Sequence, residues 1–217
     1  MISSWTQLLP LPLQGARITI VVALLSAGVA LVLSIAVGLA RLSGLRAIRW
    51  LSTIYVEFFR GTSLLIQLFW LYFALPFVGI ELPKLLAAVL ALGLNYGAYG
   101  SEIVRSSILA VPKGQWEAAI ALNMKPWQRM LYVIIPQAFV RMLPPLGNLL
   151  IELVKGTSLV YFITLADLTY QAMVLRNNYI AWTPQILALL LIMYYMINAL
   201  IAFAIRLIER KASVGRL

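Results

Sequence analysis

The sequence has neither cysteine nor histidine among its 217 residues. The first absence excludes thiol chemistry and cysteine-ligated metal, and leaves the redox compartment undetermined. The second removes the commonest metal ligand and the usual proton shuttle. Acidic side chains are also scarce, seven against 17 basic ones, and no two carboxylates stand at a spacing suited to acid and base catalysis. A phosphate-cradling Gly-x-x-x-x-Gly-Lys-Ser/Thr loop is missing as well, because Lys155-Gly156-Thr157-Ser158 presents those residue types in the wrong order. These gaps together exclude an intramembrane enzyme and a nucleotide-hydrolysing chain.

What is abundant is apolar. Hydrophobic residues make up 63% of the chain, charged ones only 11%, and the mean hydropathy is +0.94. A water-soluble core of this size could not enclose so much apolar surface, so the chain belongs in a bilayer as a single domain over residues 1–217. The net charge of +10 could serve a nucleic-acid surface, but the basic residues gather at the ends of apolar runs rather than interleaving with aromatics. They read as topology signals, and nucleic acid is not expected as a partner. The first uncharged run, 18–40, spans 23 residues, longer than a signal-peptide core, and no basic start precedes it; it is expected to be retained. Residues 1–14, with Trp5, Pro10 and Pro12, are expected to lie along the interface.

Charge bias sets the orientation. Arg41, Arg46 and Arg49 follow the first run and only Arg17 precedes it, which places its carboxyl end in the cytoplasm and the amino terminus outside. A second span is expected over about 54–77 and a third over about 85–110, the latter ending in a basic loop with Lys113, Lys125, Arg129 and Arg141. The last span, about 185–205, runs into Arg206, Arg210, Lys211 and Arg216, so the carboxyl end is inside too. Parity then requires one more crossing, over about 139–162, which carries Pro144, Pro145, Glu152 and Lys155 and is expected to be broken and to face protein or water. The result is an all-α polytopic protein with five transmembrane helices. Of the 17 basic residues, all but Arg17, Lys84, Lys155 and Arg176 fall on the cytoplasmic side.

Ser26, Ala30, Ser34 and Gly38 repeat every four positions in the first span, and Gly93 and Gly97 do so in the third, a pattern that admits close helix approach. Three acid and base pairs fall at a spacing of three: Glu57 with Arg60, Glu102 with Arg105, and Glu152 with Lys155. Such partners share a helix face. A lone charge near the bilayer centre costs roughly 2.5–3.5 kcal/mol, so six would cost on the order of 15–20 kcal/mol unless compensated. Two readings are open. The pairs, with Thr157 and Ser158 beside the last one, line a polar path for a solute, or they brace helices and reach to the interface.

The cytoplasmic loop, VPKGQWEAAIALNMKPWQRMLYVIIPQAFVR from Val111 to Arg141, reads as two short helices. Glu117, Ala118 and Ala119 are expected to open the first, Asn123 to end it in a left-handed turn, and Pro126 to start a second that stops near Pro136. A short helix with a smooth alanine ridge, projecting from the membrane, suits a groove on a partner protein.

This loop, 111–137, resembles the EAA coupling loop of bacterial ABC importer permeases of the polar amino acid family. Glu117, Ala118, Ala119 and Pro136 match that pattern in register; Asn123 stands where the family has glycine, and Ile135 where it has leucine. The resemblance extends through VEFFRGTSLLIQLFW (Val56 to Trp70), GLNYGAYGSEIVR (Gly93 to Arg105) and PPLGNLLIELVKGTSLV (Pro144 to Val160). One departure is Gly156, where relatives often carry an acidic residue. The resemblance implies a type I importer permease fold in the bacterial inner membrane, with 117–123 seated in a cleft of an ABC ATPase dimer. ATP and magnesium would belong to that ATPase, and no cofactor to this chain. It further implies a homologous second permease, or a second copy of this chain, and an extracytoplasmic solute-binding protein. That protein would dock on outer loops including 77–82 and about 164–183, with Asp167, Arg176 and Tyr179. EFFRGTS and SLVYFITLADLTYQA look most like ectoine and hydroxyectoine permeases, with arginine or glutamine as other candidate solutes. The competing class is an ion-gradient-driven secondary transporter or channel, for which intramembrane Glu and Arg residues would be equally natural.

Overall fold

The computed structural model describes residues 10–213, and all of their regular structure is helical. In chain order the elements are α1 (Pro10–Ala40), α2 (Arg46–Gly61), α3 (Leu64–Val78), α4 (Lys84–Leu109), α5 (Lys113–Ala121), α6 (Pro126–Ile163), α7 (Leu168–Asn178) and α8 (Thr183–Ser213). By length and composition α1, α6 and the stretch Ile180–Lys211 can each cross a membrane. The pair α2 and α3 can cross only as one bent unit, folded by 103°.

α1 and α4 form the centre. The buried face of α1 holds Thr19, Ser26, Ala30, Ser34 and Gly38, while Leu24, Leu31, Val32 and Ile35 are exposed. This inverts a soluble helix, because lipid accepts the large apolar side chains and the protein interface takes the small ones. The expected close approach is present: a Cβ on Gly93 would lie 2.6 Å from Val29 Cγ1, and one on Gly97 would lie 2.8 Å from Leu33 Cβ. α4 buries 14 of its 26 residues. It is about 39 Å long at 1.5 Å per residue, and shelter by its neighbours permits the polar Asn95, Tyr96, Glu102 and Arg105. α8 is nearly bare, burying Ile186 and exposing Leu191, Tyr195, Leu200 and Phe203.

Several expected boundaries differ. The interfacial segment 1–14 lies outside the described residues up to position 9, and from Pro10 it is part of α1. The span expected over 54–77 is not straight but breaks after Gly61, where Thr62 and Ser63 are extended. The break expected at Pro144 and Pro145 is absent, and the helix runs through both. The loop's second helix does not stop near Pro136. A wide π turn at Arg129–Ile134 lies just ahead of that proline, and its shifted hydrogen-bond register lets α6 pass the missing N–H and continue. The loop's first helix starts at Lys113, one turn before Glu117.

Candidate functional site

The projection formed by α5 is built on a firm base. Ala119 is buried, and half-buried Trp116 packs with Val104, Ile108, Ile134 and Ala138 from α4 and α6. Gln137 donates to Gln115 Oε1 at 3.0 Å, and the Arg141 guanidinium donates to the carbonyl of Ala110, so α6 holds both ends of the connection. Asn123 takes the expected left-handed turn at φ +55°, its N–H donating to Ile120 O at 2.8 Å. Pro126 starts α6, with Gln128 accepting from Lys125 N–H at 2.9 Å. Glu117 and Ala118 are exposed, and beside them stand Ile120, Leu122 and Trp127 at 56%, 77% and 56% exposure. Bare apolar side chains grouped beside exposed Glu117 form a candidate contact surface.

Of the three expected ion pairs, the structure forms one. Glu102 Oε1 lies 2.5 Å from Arg105 Nη2, Arg105 Nε donates to Oε2 at 3.2 Å, and Arg41 at the end of α1 binds Oε2 as well. Glu102 is thus a brace between α1 and α4 rather than a free group on a path.

Glu57 and Arg60 do not pair. The Arg60 guanidinium lies 5.3 Å from the centre of the Tyr99 ring, a cation–π contact, and both residues are exposed on α2. Glu152 and Lys155 do not pair either, and both stand exposed on α6. Equal spacing along a helix brings Cβ atoms close but does not oblige long side chains to meet when other partners compete. Lys155 and Ser158 instead line a cleft of about 770 Å³ between α6 and α8, with Tyr194, Asn198 and Arg206 on its other wall. Thr157 is correspondingly removed from any path, being fully buried with its hydroxyl donating to Val154 O at 2.7 Å.

Residues that spacing did not single out hold these walls together. Asn95 and Gln67, both buried, bond each other across α3 and α4 at 3.1 Å. Tyr96 and Tyr99, one turn apart on α4, reach different helices, Tyr96 donating to Glu152 O at 2.9 Å and Tyr99 reaching Arg60 O at 3.5 Å. Polar residues interrupting an otherwise apolar run, as in Leu94-Asn95-Tyr96, were the available signal.

Between α6 and α7, Asp167 is fully buried, not displayed for docking as expected. It caps α7, its carboxylate accepting from Tyr170 N–H at 2.9 Å, and Tyr194 donates to its other oxygen at 3.4 Å. Burial pushes this carboxyl up to about 6, against the opposing pull of those hydrogen bonds. Arg176 is half-buried and bonds Asn177, whereas Tyr179, Ile180 and Phe77 are exposed.

The family described as "Binding-protein-dependent transport system inner membrane component" matches residues 30–214. A probable amino-acid ABC transporter permease, y4tF of Sinorhizobium fredii, is 46% identical, covering 94% of this chain and 87% of that protein. The glutamine transport system permease GlnP of Escherichia coli is 35% identical over 95% of this chain and 94% of its own length. The arginine transport system permease ArtQ of Bacillus subtilis is 39% identical over 94% and 93%. Among solved structures, a chain of an amino acid ABC transporter crystallised with histidines superposes with a TM-score of 0.90 at 33% identity, covering 97% of this chain and 98% of that one. A methionine ABC transporter chain, MetNI in an inward-facing conformation, shares the fold at a TM-score of 0.77 and 22% identity. With a helical membrane core and a firmly based projection at α5, the chain belongs to the binding-protein-dependent ABC importer permeases, as a polar amino acid permease subunit whose ATPase is a separate polypeptide.

Proposed function

We propose that this chain is the five-crossing permease of a bacterial cytoplasmic-membrane importer, amino end outside and carboxyl end inside, moving a small zwitterionic solute. The observation that carries the reading is the projection α5, exposed and apolar at Ile120 and at Leu122 just past its end, yet anchored through Trp116 to α4 and α6, with Ala119 buried. Force applied there reaches the crossing helices without passing through a flexible linker. Residues 111–137 are the coupling loop of a single domain, with Glu117, Ala118, Ala119 and Asn123 facing or shaping the ATPase contact and Pro136 sitting where the loop passes into the membrane helix. An ABC ATPase dimer carries ATP and magnesium, closes on nucleotide, and rocks the permease between inward-facing and outward-facing forms.

A path needs a second wall, supplied by a homologous permease or a second copy of this chain. Glu57 and Arg60 on α2, with Glu152 and Lys155 on α6, are exposed and separated in charge, with Ser158 half-buried beside them, which fits a solute bearing both an ammonium and a carboxylate. An extracytoplasmic binding protein delivers that solute to an outer surface including Phe77, Tyr179 and Ile180. Several relatives are named for amino acids, which supports an amino acid over ectoine or hydroxyectoine as cargo.

The test is uptake by the reconstituted complex in vesicles with ATP inside the cytoplasmic compartment and no ion gradient. Accumulation of a labelled amino acid is expected; accumulation that requires a proton or sodium gradient and ignores ATP would favour an ion-driven carrier. Competition by ectoine would move the cargo assignment to that class.

A further inference from the structure

Gly156 closes the α-helical part of α6, and from Thr157 the chain tightens into a 3-10 helix that runs to Ile163. A glycine inside a crossing helix is costly unless another group needs its space. Here one does. A Cβ on Gly156 would lie 2.6 Å from Tyr96 Oη and 3.2 Å from Tyr96 Cε2. The same hydroxyl donates at 2.9 Å to the carbonyl of Glu152, one helical turn before Gly156. The Tyr96 hydroxyl therefore fills the place of a missing side chain at the point where α6 changes its winding. On the same turn stand Glu152 and Lys155, both exposed. A change of winding within a helix is where a small shift in one contact reorients the residues that follow.

We propose that Tyr96 is a positioning residue that sets solute selectivity: seated over Gly156 and bonded to Glu152, it fixes the orientation of the Glu152–Lys155 turn and thereby the clearance left for the solute's side chain. This rests on the assignment of Glu152 and Lys155 to the solute path. Gly156 and Tyr96 act as one unit, so a side chain can be added at 156 only when the hydroxyl at 96 is removed. Tyr96→Phe keeps the ring and loses the bond; Gly156→Ala forces the hydroxyl aside; the two together leave the new methyl facing ring carbons at 3.2–3.3 Å, a tight contact that small shifts relieve.

The experiment measures ATP-driven uptake by the assembled complex for amino acids of increasing side-chain volume, with complex yield checked by size exclusion. Tyr96→Phe is expected to raise KM about fivefold, the worth of one ordinary hydrogen bond, unequally across the series and with maximal rate and ATPase activity little changed. Gly156→Ala is expected to lose most uptake, and the double variant to regain it. Additive losses in the double variant, or an equal fall in maximal rate for every solute with KM unmoved, would overturn the proposal. If Gly156→Ala does not assemble, the Tyr96→Phe selectivity series decides alone. Glu152→Gln, measured in parallel, tests the underlying assignment: impaired uptake there with unaltered Tyr96→Phe kinetics rejects the Tyr96 proposal alone, and normal uptake there removes Glu152 from the path and the proposal with it.

Discussion

Gln67 and Asn95 donate to the same acceptor, the carbonyl of Phe59, each at 3.0 Å. Phe59 lies in the last turn of α2, where the 103° bend deprives carbonyls of their helical partners. Gln67 also donates to Thr62 Oγ1 at 2.7 Å, and its own oxygen accepts from Asn95. Two side-chain amides thus replace the hydrogen bonds that a broken helix loses inside a bilayer, where water cannot. The bend is held by α3 and α4 jointly.

Replacing Asn95 with Leu is accordingly expected to loosen the bend, at a cost of about 1–2 kcal/mol for a buried acceptor left half-satisfied. Gln67→Leu should act similarly, and the two together should cost less than their sum because each single variant already breaks the bond between the two amides and leaves its partner unsatisfied. Thermal unfolding of the detergent-solubilised complex, with amide exchange followed at residues 59–63, checks this. Independent additive effects would show that the amides do not act as a unit.

Glu102→Gln removes the charge that holds Arg41 and Arg105. Both arginines are partly exposed, so the cost is expected near 1–2 kcal/mol rather than the several kcal/mol of a buried pair. Because the brace joins α1 to α4, the loss should appear as faster exchange at the carboxyl end of α1, with solute KM unchanged. A change in KM without loss of stability would instead place Glu102 on the path.

Asp167 gives the outer end a pH dependence. Its carboxyl is raised to about 6 from an ordinary value of 3.8, so between those values the native state binds more protons than the unfolded chain. Stability from this group is therefore greatest below about pH 4, falls as pH rises toward about 6, and is flat above. Asp167→Asn keeps an acceptor for the Tyr170 N–H and removes the titration. Melting temperatures between pH 5 and pH 8 should fall less in that variant than in the parent, and an equal slope in both would assign the dependence elsewhere.

The positions that sequence reasoning found are those governed by local rules. Arg41 follows the end of α1 because charge stays out of lipid, whereas Arg206 lies inside α8, which continues to Ser213; Asn123 and Pro126 sit where a left-handed turn and a first helical turn accept them. The repeat from Ser26 to Gly38 foretold the α1–α4 contact. The failures are non-local. Glu102 is bound by Arg41, 61 residues away, a partner no helical spacing reveals. The bend after Gly61 depends on Gln67 and Asn95, and Asp167, polar in an outer loop, is buried because Thr19 and Tyr194 close over the same turn. Pro144 and Pro145 misled in the other direction, since neighbouring helices support α6 through both.

The central claim is that force enters through α5 from a separate ATPase. Glu117→Lys, a bulky residue at Ala118, and Leu122→Asp all alter the exposed face while leaving buried Ala119 and Trp116 in place. The decisive measurement is simultaneous ATP hydrolysis and solute uptake by the reconstituted complex carrying each variant. Uptake is expected to fall at least tenfold (about 1.4 kcal/mol of coupling lost) while hydrolysis persists and the permease remains inserted. Uptake at the parental rate in all three, or translocation by the permease without any ATPase, would contradict the account.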